Sequence, residues 1–184
     1  MNKTSVLSAA LFACAMLPAG AGTEQAPHPQ TAAGFAQLEF FTGDWSCTGK
    51  SFASSAVPAP VTTATLHAGQ AVAGHWIALH YDESESAGNP TPYHSGQYLG
   101  YDAVTQKFMA IGVDDTDAYS TETGSGWNGD TMTFEGTMIT GGRSAGLREV
   151  FTRKSPDEME HSAWARGADG QWVETDQETC HKAG

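Results

Sequence analysis

Seven histidines and twenty-one acidic side chains are the residues of this chain best suited to holding metal or moving protons. Imidazole titrates near neutrality and ligates metal or haem iron, and carboxylates serve as general acids and bases. His75 and His80 are five apart in one predicted strand, so they point to opposite faces and cannot share a metal. His67 lies across a predicted Gly69–Gly74 turn from His75, which would put that pair on one face. His94 and His161 fall in other strands. One inward histidine is enough to ligate a haem iron, but the plainer reading of each is a surface or hydrogen-bonded imidazole. No metal site is assigned.

Asp114-Asp115-Thr116-Asp117 has the look of a calcium loop but lacks the following glycine and the distal glutamate, so it reads as a solvated hairpin corner. Glu174, Asp176 and Glu178 alternate along the last predicted strand. Aligned like charges are tolerated in water, so this face is expected on the outside, with Val173, Thr175, Gln177 and Thr179 inward and Cys180 outward. Paired catalytic carboxylates are the alternative. Ser125 sits in a Gly124–Gly129 turn without the strand-to-helix context of a nucleophile elbow, and Gly141-Gly142-Arg143-Ser144 lacks the lysine of a phosphate loop.

The elements that must position these groups are nearly all strands. Thr31 to Phe41 is the one helix candidate, with Phe35, Leu38 and Phe41 recurring at spacing three. From Asp44 onward the pattern alternates, clearest over Thr131 to Met138, where Met132, Phe134 and Met138 share a side. About ten strands follow one another at roughly 8–12 residues, separated by short turns, which argues for an all-β, up-and-down meander. Closing such a meander into a barrel removes its two edges. Cys47 and Cys180 lie in the first and last strands, which closure makes neighbours, so they are expected to form a disulfide. A bridge over a loop of this length contributes about 4–5 kcal/mol by loop entropy.

Residues 1–21 read as a secretory signal peptide: Lys3, an apolar run Val6–Leu17, then Ala19-Gly20-Ala21 before the cut. A lipoprotein cut before Cys14 is the alternative. Residues 22–30 read as a Pro-bearing linker, and residues 31–184 as a single barrel domain in the periplasm or secreted. A formal charge of −12 disfavours nucleic-acid partners and anionic lipid surfaces, and no second apolar span follows the export segment.

The string from Gly96 through Tyr98-Leu99-Gly100-Tyr101-Asp102 to Phe108, followed by Gly112-Val113-Asp114-Asp115, resembles the bacterial lipocalin-like domain-of-unknown-function family 1579. Gly43-Asp44-Trp45 and Gly74-His75-Trp76 are similar to it as well, and the likeness covers roughly Leu38 to Cys180. The resemblance implies a lipocalin-like barrel of about ten strands, similar to nitrobindin and fatty-acid-binding proteins, with a short helix near one end. It brings no catalytic residues. Cys180 departs from it, standing where an aromatic residue is expected, so the disulfide is particular to this chain.

A barrel of that size encloses more space than side chains readily fill. Trp76, Met109, Met132, Phe134 and Met138, with Met159, are the candidate lining of an apolar pocket. The expected function is an exported barrel holding a small apolar molecule, with no resident cofactor. The alternatives are a cavity enzyme using His75 or His94 as general base, a haem-binding nitrobindin-like protein, and an envelope protein without a pocket.

Overall fold

The computed structural model describes residues 33–52, 60–86 and 88–183. The expected signal peptide over residues 1–21, the expected linker over 22–30 and most of the Val57–Pro60 connection lie outside them. Ten antiparallel strands form one closed barrel: β1 (Gly43–Ser51), β2 (Val61–Ala71), β3 (Trp76–Glu83), β4 (His94–Asp102), β5 (Lys107–Asp114), β6 (Tyr119–Asn128), β7 (Thr131–Thr140), β8 (Arg143–Ser155), β9 (Glu158–Arg166) and β10 (Trp172–Lys182). Each pairs with its sequence neighbours, and β1 pairs with β10, so no edge is left open. No helix among the described residues is long and apolar enough to cross a membrane.

The alternation that predicts the strands also builds the interior. In β2, Thr62, Ala64, Leu66 and Ala68 are buried while the residues between them are exposed. The base is dry. Leu38, Phe41, Trp45, Ile77, Leu99, Phe108, Met132 and Phe134 are essentially inaccessible there. The segment before β1 closes this end as a short helix, α-helical over residues 33–35 and 3-10 over Ala36–Phe41. A spacing of three suits that form, because side chains at i and i+3 eclipse in a 3-10 turn. Phe41 packs edge-on to Phe151 at 5.1 Å and stacks on Trp127 at 5.7 Å, and the Trp45 indole donates to the Phe41 carbonyl at 2.8 Å.

Two expected turns differ. Gly124–Gly129 is mostly strand, and the chain reverses only after Asn128. Gly124 and Gly126 serve close packing: a Cβ on Gly126 would lie 2.6 Å from the Phe108 ring. The β2–β3 turn falls at Val72–His75, later than expected, so His67 pairs with His80 and not with His75.

Cys47 and Cys180 face each other across the β1–β10 seam and are bonded, S–S 2.03 Å. The bridge points inward, with Cys47 and Cys180 2% and 1% exposed, which corrects the expected outer-wall position. It closes a loop of sequence separation 133. The double variant Cys47→Ala/Cys180→Ala is expected to lose about 5 kcal/mol by loop entropy, read as a fall in the urea midpoint. A midpoint unchanged within error would show that the seam holds without its staple.

Candidate functional site

Above the dry base the barrel is hollow and opens at one end as a cavity of about 630 Å³. Its apolar lining includes Leu66, Leu79, Met138, Leu147 and Met159, contributed by β2, β3, β7, β8 and β9. Its charged lining is acidic. Glu83, Asp114, Glu149, Asp176 and Glu178 line it, His161 is the one imidazole, and neither lysine nor arginine lines it among the described residues.

Strand parity and one irregularity place these groups. In β8, Leu147, Glu149 and Phe151 share the inward parity, so Glu149 occupies a core position between two apolar residues. In β6, Ser120 and Glu122 are inward, 7% and 2% exposed. In β10 the pairing with β9 slips: Glu174 stands opposite Trp164, but Asp176 stands opposite Ala163, leaving Thr175 as an extra residue. The bulge reverses the face. Asp176, Glu178 and Cys180 therefore turn inward, contrary to the expected outer acidic face.

The polar contacts form one network. Glu178 lies directly opposite His161 in register, and its Oε2 is 3.9 Å from His161 Nδ1. Its Oε1 accepts a hydrogen bond from the Tyr81 hydroxyl. His161 Nε2 faces Glu149 Oε1 at 3.7 Å and has no hydrogen-bond partner among the described residues. Gln97 Nε2 donates to Glu149 Oε2 at 2.6 Å, and Ser120 Oγ donates to Glu122 Oε1 at 2.9 Å. The second Glu122 oxygen is buried without a hydrogen-bond partner among the described residues. The His161 ring stacks on Phe151 with centroids 4.6 Å apart, which marks the boundary between polar cavity and aromatic base.

Crowded carboxylates in a half-dry space do not ionise normally. Burial and the Glu149 charge push Glu122 up to about 8. Burial and the Glu178 charge push Asp176 up to about 7, and burial raises Glu178. Burial works against the His161 imidazolium, but Glu149, then Glu178 and Asp176, outweigh it and raise His161 to about 9. Burial likewise opposes the Glu149 carboxylate, which the His161 contact nonetheless holds below the usual range. Burial, then the Glu178 charge, hold the Tyr81 hydroxyl protonated far above its ordinary value.

Of the expected pocket residues, only Met138 lines the cavity, together with Met159. Met132 and Phe134 share the inward parity but lie sealed in the base, both at 0% exposure. Trp76 and Met109 have the outward parity, next to inward Ile77 and Phe108. The Trp76 ring covers Gly100 of the neighbouring strand, where a Cβ would lie 2.7 Å from it. His67 and His94 lie on the outer surface against Asp44 and Asp82, and His75 lies in the β2–β3 turn, so none reaches the cavity as a base. Asp114 receives the Thr116 and Ala118 amides, the geometry of the expected hairpin corner. The sequence pattern does not single out Tyr81 or Glu122, whereas Glu149 stands at an apolar parity position. The cavity does not suit a haem: among the described residues neither lysine nor arginine lines it to meet the propionates.

A family model described as "Protein of unknown function (DUF1579)" matches residues 30–181. No functionally curated protein matches the chain. Among solved structures, Rv2717c from M. tuberculosis is similar at 14% identity and a TM-score of 0.64, covering 85% of this chain and 99% of that one. That likeness is one of fold. A redesigned β-barrel matches at 11% identity and a TM-score of 0.43, covering 80% of this chain and 96% of that one. A DUF3598-family protein of unknown function from Nostoc punctiforme matches at 14% and 0.39, covering 79% of this chain and 48% of that one.

The shifted groups make stability depend on pH. Glu122 keeps its proton in the folded state up to about 8 but loses it near 4.5 when unfolded. The folded form therefore binds more protons between those values, and stability falls as pH rises through that window. His161, raised from 6.5 to about 9, acts in the same direction. The thermal midpoint is expected to drop from pH 5 to pH 9. Glu122→Gln should raise it at pH 8 by about 2–4 °C per kcal/mol recovered and should flatten the slope. A midpoint rising with pH would contradict the assignment.

Proposed function

The chain belongs to the DUF1579 family of proteins of unknown function, and from that premise we propose that it is an exported barrel that binds a small molecule in the open half of its interior. The observation that carries the reading is the cavity itself. At about 630 Å³ it falls within the range of small-molecule sites, and it combines apolar side chains with a few convergent polar groups. The sequence suggests a wholly apolar guest; the lining favours an amphiphilic one. Its apolar body would lie against Leu66, Leu79, Met138, Leu147 and Met159. A positive counterpart, carried by the guest or bound beside it, would meet the carboxylate floor, because unpaired buried charge is costly. Export is supported by the N-terminal segment and by a disulfide that suits an oxidising compartment.

Native mass spectrometry of protein purified from its own host should show a bound small molecule. A fluorescent apolar probe should bind the emptied protein at one site. Ala163→Trp, which fills the cavity from β9, should reduce probe binding at least tenfold while leaving the β-sheet circular dichroism intact. Empty spectra together with no saturable probe binding would sink the proposal.

A further inference from the structure

We propose that His161, Asp176 and Glu178 form a binding site for a divalent metal ion of the zinc class, set in the cavity floor. One ligand atom from each lies within 4.8 Å of the others, a spread that small side-chain rotations close to coordination distances. The placement is backbone-determined. His161 and Glu178 are direct cross-strand partners, and the Thr175 bulge brings Asp176 onto the same face opposite Ala163. One imidazole nitrogen with two carboxylate oxygens is a donor set that zinc accepts, and three protein ligands leave the fourth position of a tetrahedral ion open to the cavity.

The surroundings carry the inference beyond a cluster of acids. Ligating histidines usually offer their second nitrogen to a carboxylate, and ligating carboxylates are themselves hydrogen-bonded. The second holds for Glu178, and for the first a carboxylate stands near the second imidazole nitrogen, beyond hydrogen-bond distance. His161 turns Nδ1 toward Glu178 and Nε2 toward Glu149, 3.7 Å away, and Gln97 fixes Glu149 from behind at 2.6 Å. Glu178, 6% exposed, is oriented by the Tyr81 hydroxyl on its other oxygen. His161 Nε2 has no hydrogen-bond partner among the described residues. Neither lysine nor arginine lines this floor among the described residues, so a bound cation supplies the charge that it lacks. The inference deepens the small-molecule reading, since a guest entering the cavity would reach the open coordination position.

The test uses the full chain after chelator treatment. Calorimetry with Zn²⁺ should give one site per chain. Co²⁺ should give the visible absorption of a four-coordinate ion. His161→Ala and Asp176→Asn should each weaken Zn²⁺ at least tenfold, and Tyr81→Phe by about tenfold. His67→Ala and His94→Ala, on the outer wall, should leave it unchanged. If His161→Ala fails to fold, Asp176→Asn carries the comparison. No saturable Zn²⁺ binding by the wild type, or equal affinity in Asp176→Asn, would overturn the inference. Probe binding that persists in a protein indifferent to Zn²⁺ would remove the metal and leave the open cavity standing.

Discussion

β10 enters its pairing with β9 in one register and leaves it in another, and Thr175 makes up the difference. Glu174 and Asp176 have the same strand parity, yet one stands opposite outward Trp164 and the other opposite inward Ala163. Everything beyond the bulge follows. Glu178 meets His161, and Cys180 meets Cys47 on the inner wall. Without the bulge Asp176 and Glu178 would lie in solvent, and His161 would keep Glu149 but lose its partners on β10. With it, several titratable groups share a few ångströms, and their protonation becomes a property of the group and not of each residue.

A barrel tolerates such a layer because only half of it is dry. The base is sealed by the 3-10 segment and its aromatic contacts, which supply burial and rigidity. The upper half stays open, so its carboxylates keep partial hydration. The disulfide lies on the inner wall, and Cys180 also lines the cavity floor. It fixes the spacing of β1 and β10 just where Glu178 must meet His161. It thus acts as a staple that holds one side of the candidate site without joining its chemistry.

The architecture was legible because it rests on period-two alternation and short turns, which are local. Closure was legible because two cysteines mark the first and last strands. The site was less so. A bulge leaves little trace in composition: Glu174, Asp176 and Glu178 look like one solvated stripe until pairing is known. Trp76 and Met109 suit a pocket by type, but side-chain type does not fix parity; the inward residues are their neighbours Ile77 and Phe108. Glu149 was the readable exception. It sits between Leu147 and Phe151 on the buried face of its strand, where a charge needs a reason.

The central claim is that the interior holds carboxylates desolvated enough to stay protonated near neutrality. A pH titration of side-chain carboxyl carbons by NMR, on chelator-treated protein, tests it most directly. The account predicts a glutamate resonance titrating near pH 8 that vanishes in Glu122→Gln. A full set of carboxyls titrating in the ordinary range near 4 would contradict it.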